Sequence, residues 1–281
     1  MIVVTAASGQ LGRHVVEGLR AKGAEFVAGV RNPAAMFSGT PKVETRELDY
    51  DRPDTVEAAL QGADTVLLIS GNEPGKRVPQ HTAVVDAAKK AGVRHIVYTS
   101  APHADTTPLV LAPEHKATEE AILASGIPYT FLRNGWYHEN YVDKITTAAE
   151  TGEIIGATGD GRVASAARKD FADAAVAVLT EPGHENKIYE LTGDTAWTFA
   201  EFADEVAKVA DRPVTYRNLT VDELTQHLVS LGTPPEVAGF VAALDDNIAA
   251  GTLAHTPGDL RSLIGRPTTP VSEAIKAVLK P

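Results

Sequence analysis

Through the first half of the chain, short apolar runs alternate with stretches whose apolar positions recur at helical spacing. Residues 2–5, 25–30, 43–48, 65–70, 95–100 and 129–132 are rich in Val, Ile, Leu and Thr and read as strands. Between the first two, Leu11, Val15, Val16 and Leu19 fall on one helical face. Gly23, Gly62, Gly92 and Gly126 each follow a helical stretch, where a residue tolerant of the left-handed conformation ends a helix. Pro53 suits the first turn of a helix starting after Asp51. Strands with apolar character on both faces, separated by helices, predict an α/β fold. The expected architecture is a Rossmann-type doubly wound parallel sheet with right-handed crossovers.

After about Gly152 the alternation loosens. Helices are expected at 170–179, 198–209, 221–231 and 272–279, with one strand at 188–191. The pattern divides the chain into a Rossmann domain, 1–155, and a smaller, mostly helical substrate-side lobe, 156–281. No flexible linker separates them, so the two are expected to share a core.

The 281 residues are 43% hydrophobic and 22% charged, which fits a soluble globular protein. A net charge of −11 speaks against nucleic-acid partners. No cysteine is present, which excludes disulfides, thiolate metal sites and cysteine nucleophiles. The nine histidines show no metal-ligand spacing, so no metal is expected. The N-terminal segment lacks the features of a secretory signal, and no apolar run is long enough for a bilayer, so a cytoplasmic protein without a membrane partner is expected. Two-fold dimers being the commonest assembly, a homodimer is the default oligomer.

The first strand runs directly into Thr5-Ala6-Ala7-Ser8-Gly9-Gln10-Leu11-Gly12 and then a helix. A strand–turn–helix of this kind presents backbone N–H groups and a helix dipole to an anion. Gly9 allows close approach of a pyrophosphate and Gly12 allows close helix–strand packing. The usual first glycine is replaced by Ala6, which fits if its φ is negative. At the end of the second strand, where NAD binders carry an acid for the ribose, stands Arg31. A guanidinium there pairs with a 2′-phosphate, so NADPH is the expected cofactor. Other strand ends, including Asp49, Ser70, Gly71, Thr99, Ser100, Arg133 and Asn134, should face the same crevice.

The stretches TAASGQLG, VRNP, LLISGNEPGKRVPQH, YTSAPHADTTPL, EHKATE and LRNGWYHENY resemble the NmrA-like atypical short-chain dehydrogenase/reductase family. Within it they are most similar to the branch of bacterial type 2 NADPH:quinone oxidoreductases, and the resemblance runs over essentially the whole chain. It implies NADPH and direct reduction of a small-molecule quinone without flavin. It also implies cofactor contacts from Ala6, Ala7, Ser8, Gly9, Gln10 and Leu11, from Arg31, from Ile69, Ser70 and Gly71, and from Asn134 and Gly135.

Typical short-chain dehydrogenases protonate an alkoxide with a Tyr-x-x-x-Lys pair. Here the helix after strand five carries His115 and Glu119 instead, four residues apart on one face. A quinone yields a weakly basic hydroquinone anion and needs no strong donor. His115 is therefore read as an auxiliary proton donor at most, the alternative being a surface histidine paired with Glu119. Trp136, Tyr137, Asn140 and Tyr141 are expected to form one wall of the acceptor pocket. The segment 103–109 is expected to fold over the acceptor. A second functional class stays open: a non-catalytic NADP(H)-binding redox sensor would also lack the Tyr–Lys pair.

Overall fold

The computed structural model describes residues 1–35 and 43–280. The first half contains β1 (Ile2–Val4), α1 (Gln10–Ala21), β2 (Phe26–Val30), β3 (Glu44–Glu47), α2 (Pro53–Ala59), β4 (Thr65–Leu68), α3 (Arg77–Ala91), β5 (His95–Ser100), α4 (Ala112–Ser125) and β6 (Tyr129–Asn134). It continues with α5 (Val142–Thr151), β7 (Glu153–Gly156), β8 (Arg162–Val163), α6 (Arg168–Thr180), β9 (Lys187–Leu191), β10 (Trp197–Thr198) and α7 (Phe199–Ala210). The chain closes with β11 (Thr215–Asn218), α8 (Val221–Ser230), α9 (Pro235–Ala249), α10 (Asp259–Ile264) and α11 (Val271–Leu279).

Seven strands form one sheet in the order β3-β2-β1-β4-β5-β6-β9, and every neighbouring pair is parallel. This is the Rossmann order, reversing direction between β1 and β4, where the crevice for a ligand opens. Two-residue periodicity sorts the strand side chains between two cores. Val3, Val27, Val66, Leu68, Ile96, Tyr98 and Phe131 face α2, α3 and α4. Val4, Ala28, Leu67, Val97 and Leu132 face α1 and α6. Only a sheet covered on both faces needs such runs, and the one polar strand, β3 (ETRE), lies at an edge. Gly92 and Gly126 end α3 and α4 with φ of +74°, as their positions in the sequence predicted.

The division at residue 155 is not where the chain changes core. Helix α6, strand β9 and Leu260 of α10 return to the Rossmann layer, packing Phe171, Val176, Val178 and Leu191 against α1 and the sheet. The core of the later lobe begins earlier, with Leu109 and Ala112, takes in Tyr141, Ile145 and Ala148, and gathers Trp197, Phe199, Phe202, Val206 and Ile275 from the later elements. Two small sheets, β8–β10 antiparallel and β7–β11 parallel, frame this lobe. Elements from both halves of the chain are therefore interlaced between the sheet layers and the lobe.

Candidate cofactor and acceptor site

The loop after β1 is closed by its own backbone. The Thr5 N–H donates to the Leu67 carbonyl at 3.0 Å, the Ala7 N–H to Gly29 at 3.0 Å, and the Gly9 N–H to Ala6 at 2.9 Å. This closure forces Ala6 to φ +46°, in the left-handed region. The expectation of a negative φ there is corrected: the alanine occupies the conformation that the usual glycine supplies, at a cost of roughly 1–2 kcal/mol. At Gly12 no side chain fits, because a Cβ would lie 2.3 Å from the Ala6 carbonyl oxygen. The N-cap of α1, Gly9, makes no side-chain bond to the first turn, and no acidic residue sits there. The first-turn N–H groups, which have no intrahelical acceptors, and the positive end of the helix dipole are thus left for an anion.

This loop forms one wall of a cleft of about 640 Å³, a volume suited to a cofactor. Ala6, Ser8, Gly9, Gln10, Leu11, Arg31, Ile69, Ser70 and Gly71 line it, and so do Tyr137 and Asn140. The Arg31 side chain is exposed at its rim, beyond the end of β2. Ala7 does not reach the cleft; it is fully buried beneath the loop.

Several lining or supporting residues escaped the sequence reading. Tyr50 donates its hydroxyl hydrogen bond to the Ile69 carbonyl at 2.6 Å, and burial pushes its pKa up, keeping it protonated. The Gly71 N–H donates to His81 Nε2 at 3.0 Å, while Arg77 Nε donates to the Gly71 carbonyl at 2.9 Å. The Ser70 N–H donates to Thr99 Oγ1 at 2.9 Å, so Thr99 supports the cleft rather than lining it. Because His81 Nε2 accepts, this imidazole is neutral, with its proton on Nδ1 beside Thr118 Oγ1. Burial and the nearby Arg77 charge hold its pKa down to about 3, in agreement. Arg77 and His81, four apart at the start of α3, were legible only as a helix face; nothing in the sequence aimed that face at the turn after β4.

The expectations for His115 and Glu119 are corrected. His115 is only 6% exposed and lies inside the protein, with Nδ1 2.8 Å from the Tyr98 hydroxyl. Burial, with the charge of Arg77, lowers its pKa to about 3, so it is neutral and is not among the residues lining the cleft. Nor is it a surface histidine paired with Glu119. That carboxylate is buried and bidentate with Arg133, at 3.0 Å to Nε and 2.7 Å to Nη2, and accepts from Ser100 Oγ at 2.6 Å. Arg133 Nη1 also reaches Asp105 at 2.8 Å and Glu190 at 3.0 Å. The remaining Glu190 oxygen accepts the His103 N–H at 3.1 Å. Arg133 and Glu119 thus tie the loop between β5 and α4 to the ends of β6 and β9.

Asn134, Gly135, Trp136 and Tyr141 also stand apart from the cleft wall. The Gly135 N–H donates to the Leu191 carbonyl at 2.7 Å, and a Cβ there would come within 2.9 Å of that oxygen. Its glycine serves the approach of two strand ends. Asn134 Nδ2 donates to the Tyr137 hydroxyl at 3.3 Å, and its buried Oδ1 has no partner among the described residues. Trp136 lines a separate small cavity with Pro102, His103 and His255. Tyr141 is buried in the core of the later lobe among Trp197, Phe199 and Phe202. Its ring is a packing element, not part of an acceptor wall. Among the described residues no cluster of His, Asp and Glu is arranged to hold a metal ion, and no helix is long and apolar enough to cross a membrane.

A family model described as NAD(P)H-binding matches residues 6–182. The chain is 46% identical over 278 residues to quinone oxidoreductase 2 of Escherichia coli K12, spanning 98% of this chain and 97% of that protein. Its fold superposes with a TM-score of 0.95 on the crystal structure of the E. coli NADPH-dependent quinone oxidoreductase complexed with NADPH, at 46% identity over 99% of both chains. The Citrobacter sp. triphenylmethane reductase complexed with NADP(H) matches with a TM-score of 0.94 at 39% identity, over 99% of this chain and 100% of that one. With the phosphate loop, the Arg31 rim and the Rossmann strand order already in place, these likenesses make the chain a member of the NAD(P)H-binding, NmrA-like family.

Proposed function

We propose that the protein is an NADPH-dependent quinone reductase that passes a hydride directly to its acceptor, without flavin. The observation that carries this reading is a cleft built for a dinucleotide beside a helix that has lost its proton-relay pair to the interior. Loop 5–12 and the start of α1 hold the pyrophosphate, and Arg31 the 2′-phosphate. Ile69, Ser70 and Gly71, fixed by Tyr50, Thr99, His81 and Arg77, form the floor under the rest of the cofactor. NADPH, when bound, supplies the hydride.

The chain's own contribution is positional. Tyr137 and Asn140 form the acceptor side of the cleft. Neutral His115 and ion-paired Glu119 offer no proton there, which suits an acceptor whose reduced anion is weakly basic. Solvent then completes the protonation. An ordinary ketone would leave an alkoxide far too basic for this site. A reductase of this kind draws on the cytoplasmic NADPH pool, and we place it there.

The test is quinone-dependent loss of NADPH absorbance at 340 nm with purified, flavin-free protein. The expected result is turnover with benzoquinones and naphthoquinones and none with simple ketones. Tight NADPH binding without turnover on any quinone would replace the enzyme by a redox sensor.

A further inference from the structure

Three arginines line the cleft, and they are not equivalent. Arg31 lies beyond β2, at the 2′-phosphate end. Arg77 is buried, and its guanidinium is occupied by the Gly71 carbonyl at 2.9 Å and by Glu114 at 2.8 Å. Arg168 is the first residue of α6. Its backbone N–H donates to both Glu139 carboxylate oxygens at 3.0 Å, which fixes where the residue begins. Its guanidinium lies 4.7 Å from the centre of the Tyr137 ring. Among the described residues that guanidinium makes no ion pair and no hydrogen bond, so its orientation comes from stacking and its donors stay available. It shares the cleft wall with Tyr137 and Asn140.

The chemistry of the acceptor asks for such a group. The quinone takes up a hydride, which is two electrons and one proton, from NADPH, which leaves as NADP⁺. The acceptor becomes a hydroquinone monoanion, and one further proton from solvent gives the neutral hydroquinone. The negative charge must be met before that proton arrives. The Tyr137 hydroxyl is a poor source of a proton, because burial raises its pKa. His115 and Glu119 lie elsewhere. The Arg168 guanidinium, pre-positioned by its stack, stabilises the anion through its charge, without proton transfer.

We infer that Arg168 is a catalytic residue that stabilises the anion formed on the acceptor. The inference rests on the proposed quinone reductase reading. It separates the two ends of the cleft by role: Arg31 chooses the cofactor, and Arg168 lowers the barrier for the acceptor.

The experiment compares wild type, Arg168→Ala and Arg168→Lys with a series of quinones whose hydroquinones differ in acidity. NADPH affinity is measured separately by cofactor fluorescence, and folding by thermal melting. Arg168→Ala is expected to lower kcat/KM for the quinone by about tenfold to a hundredfold. NADPH Kd should stay within about twofold of wild type. The loss should be largest for acceptors with the least acidic hydroquinones, and Arg168→Lys should recover part of it. Unchanged quinone kinetics would overturn the inference. So would a weakened NADPH Kd with unchanged kcat, which would make Arg168 a cofactor contact. A wild-type protein that reduces no quinone would overturn the functional reading beneath it, and the variants would not be needed to see that.

Discussion

At the residue scale the phosphate loop holds both the clearest sequence signal and the clearest surprise. Gly9 and Gly12 were legible because only glycine leaves room where a backbone or a phosphate comes close. The φ of Ala6 was not legible, because it is set by the Gly9–Ala6 bond and the close packing of α1 rather than by the residue type. Ala6→Gly should therefore stabilise the protein. Relief of roughly 1–2 kcal/mol of left-handed strain exceeds the ~0.4–1 kcal/mol that glycine gives back to the unfolded chain. A denaturant midpoint that fell would show that Ala6 is unstrained. Gly12→Ala should do the opposite, since its Cβ would meet a backbone oxygen at 2.3 Å; cofactor titration should show NADPH binding lost. For Arg31→Ala, loss of a charge-assisted contact of about 1.5–3 kcal/mol predicts an NADPH Kd raised by about tenfold to a hundredfold, with NADH unaffected. Equal weakening of both cofactors would remove Arg31 from the 2′-phosphate. Aromatic residues were the least legible. Tyr137 and Tyr141 look alike in sequence, yet one lines the cleft and the other fills the core of the later lobe, because a short 3₁₀ turn at His138–Tyr141 points them apart.

At the element scale the strands and most helices followed from hydrophobic period, because a sheet buried on both faces leaves continuous apolar runs. Helices α5, α9 and α10 and the small strands β7, β8, β10 and β11 were not read. Strands of two to four residues are too short to show a period, and α9 packs mainly on α8, with only Ala238, Ala242, Asp245 and Ile248 buried. The loop between β5 and α4 was expected to fold over the acceptor. Its observed anchors are Arg133 to Asp105, Glu190 to His103, and Asn247 Oδ1 accepting the Val110 N–H at 2.9 Å. It thus bridges the sheet to the lobe. Glu119, at the position that carries lysine in typical short-chain dehydrogenases, has become part of this anchorage. Glu119→Leu should destabilise the protein by about 3 kcal/mol, since it strips a buried guanidinium of its bidentate partner. Asp105→Ala, at the exposed end of the same network, should cost under about 1 kcal/mol. Urea unfolding distinguishes them, and equal effects would mean that the buried pair carries no special weight.

At the scale of the whole molecule, buried imidazoles make stability depend on pH. His81 and His115 are held down to about 3 in the folded protein, chiefly by burial, against about 6.5 when unfolded. Their contribution is complete above pH 6.5 and is lost as the pH falls towards 3, because only the unfolded chain takes up protons in that window. The two together should remove about 2.5 kcal/mol of unfolding free energy between pH 7 and 5.5. A flat profile over that range would mean that they are not buried as neutral groups. The fold itself was legible because its topology repeats one strand–helix unit. The domain boundary was not, because α6 and β9 return to the first sheet after the chain has entered the lobe. Direct hydride transfer within the cleft is best tested by a single turnover: flavin-free protein, one equivalent of NADPH and excess benzoquinone, mixed without oxygen. One hydroquinone should form per NADPH oxidised, and more slowly when the transferred position of NADPH carries deuterium. NADPH that binds the cleft and stays reduced in the presence of the quinone would refute hydride transfer by this protein.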